Sequence, residues 1–254
     1  MARLNVLKTY KIYSGGQFPR TESGRFYELK NKKQETIANV CLSSRKDFRN
    51  AVAAARSAFG NWSGRSASNR GQILYRIAEM LESRKTQFIE ELMLQGISSK
   101  VASEEILQSI DRLVYYAGWC DKYQQLFSSV NPVASPHFNF SLPEPTGVVT
   151  IIASETSPLL GLVSAIGPVI TGGNTCVVLA SEKMPLSAIT FAEVLATSDL
   201  PGGVVNVLTG TSKELHSHFS SHMDVNAIIY CRNNKEERKT IEENCSLNIK
   251  RFFN

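Results

Sequence analysis

Four short, continuously apolar segments in the second half of the chain constrain its fold more than any other feature. Glycine or proline marks several of their boundaries, as at Gly172-Gly173 and Pro185. Strands that are apolar along their whole length are buried on both faces, and the helices between them provide the crossovers of a parallel sheet. We therefore predict an α/β fold with a parallel, Rossmann-like sheet covered by helices on both faces. The predicted strands are Val148–Ile152, Thr175–Leu179, Val204–Leu208 and Ala227–Tyr230.

The first half of the chain has a different pattern. Residues 10–40 combine short apolar pieces with glycine turns, which predicts a β-hairpin. From Arg45 to about residue 127, apolar residues recur at helical spacing, so we expect a helical layer on one face of the sheet. The segment Phe138–Leu142 alternates, which predicts a strand with one buried face. In the second half, helices are predicted to begin at Pro158, at Pro185 or Leu186, at Ser212 and near Asn234.

Composition and charge narrow the class of protein. The net charge of +5 comes from 28 basic and 23 acidic residues that are mixed along the chain, so neither nucleic acid nor a membrane surface is an expected partner. The longest apolar stretch, Pro158–Ile170, is too short to span a bilayer, and Met1–Lys8 has no leader pattern. Five cysteines without a C-x-x-C pair indicate neither a disulfide framework nor a zinc ribbon. We expect a cytoplasmic protein.

One set of residues has the spacing of a metal site. Glu214, His218 and His222 recur every four residues on a predicted helix, with His216 nearby. Zinc uses such ligands, but the H-E-x-x-H pattern is missing, so we predict no bound metal.

Several blocks of sequence resemble aldehyde dehydrogenases, in that family's order and spacing. They are Glu144–Val149, Gly173–Leu179, Pro201–Gly210 and Ser221–Val225. The resemblance covers nearly the whole chain and is strongest to the second, non-catalytic unit of aldehyde dehydrogenase family 16, through Asn69–Tyr75 and Cys120–Tyr123. It implies one dinucleotide-binding domain over 1–254, comprising a hairpin and helices (10–130), an oligomerisation-type strand (131–146) and βα repeats (147–254), with the catalytic domain absent.

The same resemblance exposes departures from the active pattern. Thr156 stands where active members have an oxyanion-binding asparagine, and we expect Thr156 or Ser157 to be a helix N-cap instead. Glu182 matches a ribose-binding glutamate, and Gly210 is the other retained cofactor-binding position. Ala180 replaces a lysine, and Cys231-Arg232 replaces a glycine-serine turn at the pyrophosphate, where Arg232 either attracts phosphate or fills the site. The expected cofactor is none, or weakly bound NAD.

These departures lead to a functional hypothesis with two rivals. The resemblance places the catalytic glutamate and nucleophilic cysteine beyond Asn254, so no catalytic residue is assigned. We expect a pseudoenzyme that acts as a structural or regulatory subunit, either as a homo-oligomer or in a hetero-complex with a full-length aldehyde dehydrogenase. The alternative is the NAD-binding part of an aldehyde-oxidising oxidoreductase whose catalytic residues come from another chain. A third hypothesis is that the chain is a truncated gene product without a selected function.

Overall fold

The computed structural model describes residues 6–254. In chain order the elements are β1 (Thr9–Tyr10), β2 (Phe26–Lys30), β3 (Thr36–Cys41), α1 (Arg45–Ser63), α2 (Ala67–Ser83), α3 (Lys85–Leu94), α4 (Ser99–Ala117), α5 (Lys122–Phe127), β4 (Ser129–Asn131), β5 (Asn139–Ser141), β6 (Val148–Ile152), α6 (Leu160–Thr171), β7 (Thr175–Leu179), α7 (Leu186–Ala196), β8 (Val205–Leu208), α8 (Ser212–Ser221), β9 (Ala227–Tyr230), α9 (Lys235–Ser246) and β10 (Arg251–Phe253).

The main sheet has five parallel strands in the order β10-β9-β6-β7-β8. Its middle strand is β6, where Val149 lies opposite Cys176 on one side and Ala227 on the other. The chain runs outward from β6 through β7 to β8, and then returns to place β9 on the opposite side of β6. The predicted α/β class with a parallel sheet and helices on both faces is confirmed.

Alternate residues of each strand point to opposite faces of the sheet, and each face has its own core. Val149 and Ile151 face α6 and α7, which are covered in turn by α2, α3 and α4. Val148 and Ile152 face α1, α8 and α9. The N-terminal helices are therefore divided between the two faces, rather than all lying on one as predicted. Helix α1 separates from the others because its apolar stripe, which includes Phe48, packs directly on the sheet.

Two small sheets complete the fold. Strands β2 and β3 form an antiparallel hairpin, and β1 pairs with β3 in parallel. After β1, Tyr13 makes an antiparallel bridge to Val207 on the outer edge of β8, with two backbone hydrogen bonds of 2.8 Å. Here Gly16 and Gly202 approach so closely that a Cβ on Gly16 would lie 2.9 Å from the Cα of Gly202.

The second small sheet is the antiparallel pair β4 and β5, which projects from the body of the molecule. The predicted strand at Phe138–Leu142 is present, but both of its faces are exposed. The expectation of one buried face is therefore wrong for the chain alone, because no described segment packs against either face.

The structure also bears on the expectations about membrane helices, a leader segment and disulfides. No helix within residues 6–254 is long and apolar enough to cross a membrane. The prediction about a leader concerned Met1–Lys8, of which residues 1–5 lie outside the described part. All five cysteines are free in the structure.

Candidate functional site

The candidate site lies at the carboxyl ends of the parallel strands. In open α/β sheets, ligands bind where the strand order reverses, because the loops on either side of that point diverge and leave a crevice. In this sheet the reversal falls between β6 and β9. A cleft of about 440 Å³ lies there, lined by residues that directly follow β6, β7 and β9, among them Thr156, Glu182 and Arg232.

The side chain of Arg232 fills the inner part of this crevice and is only 9% exposed. Its Nη1 lies 2.5 Å from Oε1 of Glu182, and its Nη2 lies 2.8 Å from Oε1 of Glu155. The guanidinium also donates from Nε to the carbonyl of Ala153 at 3.0 Å and from Nη2 to that of Ala180 at 3.1 Å. Planar, forked donors suit arginine to bridging several acceptors at once. A residue on the loop after β9 thus joins the ends of β6 and β7.

Glu155 is a partner of Arg232 that the sequence pattern does not predict. Besides its ion pair, it accepts hydrogen bonds from the backbone N–H of Glu182 at 3.0 Å and of Lys183 at 3.2 Å. The hydroxyl of Ser181 donates to its Oε2 at 2.7 Å. The carboxylate therefore fixes the loop after β7 while it pairs with arginine. The available signal was the position of an acidic residue three places after a buried strand.

Glu182 is engaged on its other side as well. Its Oε1, which contacts Arg232, also accepts from the backbone N–H of Ser212 at 2.5 Å, at the beginning of α8. Ser212 in turn donates through its hydroxyl to Glu237, and Tyr230 donates to the same carboxylate oxygen at 2.9 Å. Burial, followed by the hydrogen bond to Glu237, raises the pKa of Tyr230, so this phenol acts as a hydrogen-bond donor.

Gly210, the second predicted cofactor contact, lies apart from the cleft. It follows β8 with a φ of 151°, a conformation that L side chains rarely adopt. A Cβ there would lie 3.3 Å from the backbone nitrogen of Ser43, so the glycine permits the loop before α1 to approach β8. The structure therefore brings Glu182 together with Arg232 and Glu155, but not with Gly210.

Thr156 is exposed at the outer rim of the cleft. Its backbone N–H donates to the hydroxyl of Ser154 at 3.2 Å, and the two hydroxyls lie 3.1 Å apart. These contacts form a local turn in the loop after β6. Thr156 does not cap α6, so the predicted role as a helix N-cap is wrong for this residue.

The N-terminus of α6 is capped from a distant part of the chain. Oε1 of Glu105, on α4, accepts from the backbone N–H groups of Leu159 at 2.9 Å and Leu160 at 3.0 Å. Ser157, the other predicted cap, instead donates its hydroxyl to Glu105 at 3.2 Å. A buried carboxylate serves here because it satisfies two otherwise unpaired N–H groups and lies at the positive end of the helix dipole.

The candidate zinc ligands do not converge. Glu214 pairs with Arg25 at 2.6 Å, and Nδ1 of His216 donates to the carbonyl of Ser212 at 2.7 Å. Nδ1 of His222 accepts from the backbone N–H of Asp224 at 3.2 Å. Within the part of the chain that the structure describes, no three metal-ligating side chains come together.

The thiols near the sheet are not activated. Burial raises the pKa of Cys231, which lines the cleft and is half-buried, and it likewise raises the pKa of Cys120, Cys176 and Cys245. The thiolate is the nucleophilic form of cysteine, so a raised pKa lowers its reactivity near neutral pH. The cleft therefore combines a carboxylate-arginine network with a thiol whose pKa is raised.

Comparison with known proteins identifies the family. The sequence matches the aldehyde dehydrogenase family over residues 18–253, and this chain belongs to that family. It is 33% identical to the cytosolic 10-formyltetrahydrofolate dehydrogenase of Mus musculus over 98% of this chain and 28% of that protein. It is 31% identical to the putative aldehyde dehydrogenase DhaS of Bacillus subtilis (strain 168) over 96% of this chain and 49% of that protein.

Solved structures give the same result. The fold superimposes with a TM-score of 0.91 on the NAD⁺ complex of an aldehyde dehydrogenase from Bacillus cereus, at 27% identity. The match covers 96% of this chain and 50% of that one. The chain thus spans from about a quarter to half of the length of these relatives.

Proposed function

We propose that this chain is a non-catalytic member of the aldehyde dehydrogenase family, and that it acts as a structural or regulatory subunit paired with an intact aldehyde dehydrogenase. The observation that carries the proposal is an exposed apolar surface on the β4-β5 pair, which we call the hairpin surface. It consists of Val130, Phe138, Phe140 and Leu142. Cytoplasmic location belongs to the same proposal, and the word cytosolic in the name of the mouse relative favours it.

The hairpin surface has the features of a contact region. Val130 lies opposite Phe140 across the strand pair, and the rings of Phe138 and Phe140 are 5.3 Å apart. Val130 is 71% exposed, Phe138 is 73% exposed and Phe140 is 53% exposed. Burying a side chain of this size contributes about 1.5–3 kcal/mol, so covering the surface would favour association substantially. Both strands also offer backbone groups at their outer edges, which can pair with another strand.

An intact aldehyde dehydrogenase is the expected occupant of the hairpin surface. The fold of this chain matches half of the Bacillus cereus enzyme with a TM-score of 0.91, which supports a protein of the same family as the partner. Association of this chain with a second copy is the competing outcome of the test.

The cleft supports a role without catalysis. Arg232 occupies the crevice that the fold provides for a ligand, and the half-buried thiol of Cys231 has a raised pKa. Neither feature favours aldehyde oxidation by the described residues.

The proposal is tested by reconstitution. The purified chain is mixed with a purified aldehyde dehydrogenase identified by co-purification from the same cells, and the mass of the product is measured by light scattering. A complex of fixed stoichiometry supports the proposal. A complex that contains only copies of this chain indicates a homo-oligomer. If this chain and the aldehyde dehydrogenase remain separate at high concentration, the proposed pairing is rejected.

A second candidate function has its own support. The chain could form the NAD-binding part of an aldehyde-oxidising oxidoreductase whose catalytic residues come from another chain. The fold match to an NAD⁺ complex and the position of Glu182 after β7 favour it. Titration of NAD into the reconstituted complex separates the two, because a micromolar site on this chain favours the second candidate.

A further inference from the structure

We propose that Arg232 is a built-in occupant of the crevice between β6 and β9, and that it holds closed a latent site for the ribose and diphosphate of a dinucleotide. This inference deepens the proposed non-catalytic function and rests on it. It also decides between the two roles that the sequence left open for Arg232, which were to attract phosphate or to fill the site.

The position of the guanidinium is the first argument. Arg232 follows β9, yet it donates to the carbonyls of Ala153 and Ala180, the residues that directly follow β6 and β7. It therefore crosses the point of strand reversal, where the geometry of an open α/β sheet places a bound ligand. A dinucleotide that reaches the inner part of the crevice would have to displace the side chain.

The state of the carboxylates is the second argument. A ribose diol binds a carboxylate by donating its hydroxyl protons, which requires accepting oxygens that face the crevice. Oε1 of Glu182 is already shared by Arg232 and the N–H of Ser212. Both oxygens of Glu155 are used, by Arg232 and by the loop after β7. A ribose diol would therefore have to compete with Arg232 for Oε1 of Glu182 and for Glu155.

The free-energy cost of displacing Arg232 from its two carboxylate partners is the third argument. Arg232 is 9% exposed and bridges two carboxylates whose side chains are 21% and 32% exposed, so withdrawing it leaves two partly buried negative charges without their counter-charge. Removing one partner of a buried ion pair is unfavourable, and partial exposure reduces the cost here. A diphosphate would enter next to these charges and would be repelled. The closed state is therefore the stable one for the chain as it stands.

The decisive variant must remove the arginine without leaving two unpaired carboxylates in the crevice. The double substitution Arg232→Ser with Glu155→Gln does this, because it leaves Glu182 as the only charged carboxylate of the two that pair with Arg232. We expect wild-type protein to bind NAD with a dissociation constant weaker than about 1 mM. The double variant should bind NAD and ADP-ribose at least tenfold more tightly by calorimetry.

The matched control is Arg238→Ser, which removes an exposed arginine paired with Glu242 on α9. It should leave NAD binding unchanged. If the double variant does not fold, as judged by circular dichroism, Arg232→Lys replaces it, because one ammonium cannot contact two carboxylates and two carbonyls together. Tighter binding in Arg232→Lys supports the inference, and unchanged binding overturns it.

Weaker binding in any Arg232 variant would also overturn the inference, because it would make the arginine a ligand for phosphate. Light scattering on the same samples reports on the hairpin surface, which is separate from the cleft. If the variants still form the complex with an aldehyde dehydrogenase but do not bind NAD more tightly, this inference alone is rejected. If wild-type protein forms no such complex, the proposed function is rejected.

Discussion

The carboxylate of Glu105 accepts a hydrogen bond of 2.9 Å from the backbone N–H of Leu159, which ties α4 to the start of α6. The two residues are 54 positions apart, and Glu105 is 7% exposed. One helix of the N-terminal layer thus completes the N-terminus of the first crossover helix. The N-terminal layer and the βα repeats are therefore joined by a polar contact as well as by apolar packing.

Replacing Glu105 by alanine should lower the free energy of unfolding by about 2–3 kcal/mol, because two N–H groups at the start of α6 lose their acceptor. Urea unfolding followed by circular dichroism measures the change. The control is Glu104→Ala on the exposed face of the same helix, which should change stability by less than about 0.5 kcal/mol. Equal effects of the two substitutions would contradict the capping role.

A second prediction concerns Glu91, a buried carboxyl between β1 and α7. Tyr10 donates to its Oε1 at 2.9 Å and Thr190 at 2.7 Å, while Oε2 has no hydrogen-bond partner among residues 6–254. Burial raises the pKa of Glu91, with Glu193 adding to the shift and the two hydroxyl donors and Lys8 opposing it. Because the folded-state pKa is raised, the contribution of Glu91 to stability is present at low pH and is lost as pH rises from about 4.5.

Glu91→Gln should therefore gain stability relative to wild type as the pH rises from 5 to 8, since glutamine keeps the Oε1 acceptor and does not ionise. Urea midpoints at the two pH values give the result. The exposed neighbour provides a control, because Glu90→Gln should show no such pH-dependent difference. A wild-type protein that becomes more stable than Glu91→Gln at pH 8 would show that the carboxylate form is favoured.

The third prediction tests the hairpin surface. Phe138→Asp combined with Phe140→Asp should raise the dissociation constant of the complex at least tenfold, because each aspartate would have to be desolvated in the contact. Light scattering over a dilution series measures the change. Phe26→Asp is the control, since Phe26 is 57% exposed but lies on β2. An unchanged complex in the double variant would remove the hairpin surface from the interface.

The fourth prediction is that the chain alone does not oxidise aldehydes. Arg232 occupies the inner part of the crevice, and the thiol of Cys231 has a raised pKa, so we expect weak NAD binding and little reactive thiolate. Purified protein mixed with NAD and a panel of aldehydes should form no NADH above the buffer rate. Turnover that persists after further purification and is abolished by Cys231→Ser would refute the pseudoenzyme hypothesis.

The sequence predicted the centre of the fold well and the polar contacts poorly. The bounds of β6, β7 and β9 agree with the predicted strands, because strands buried on both faces are continuously apolar and carry a strong signal. The sequence predicts Thr156 or Ser157 as the cap of α6, since capping is normally local. Glu105 could not be found in that way, because only the tertiary structure brings α4 to this helix.

The cleft shows the same limit. The sequence left two roles open for Arg232, because a single arginine on a loop carries no information about its acceptors. Glu155 and the carbonyls of Ala153 and Ala180, which hold the arginine in place, lie on two other loops. Their convergence follows from the strand order, which the apolar pattern does not specify.

The bridge between Tyr13 and Val207 covers part of one edge of the main sheet, so the two edges differ in how readily they can pair with a further strand. The outward-facing N–H and C=O of Val207 are already matched by those of Tyr13, so an invading strand finds no template along β8 at this position. On the opposite side, β10 pairs only with β9 within residues 6–254. Within the described residues, the edge at which an extended segment can add to this sheet without displacing Tyr13 is therefore β10.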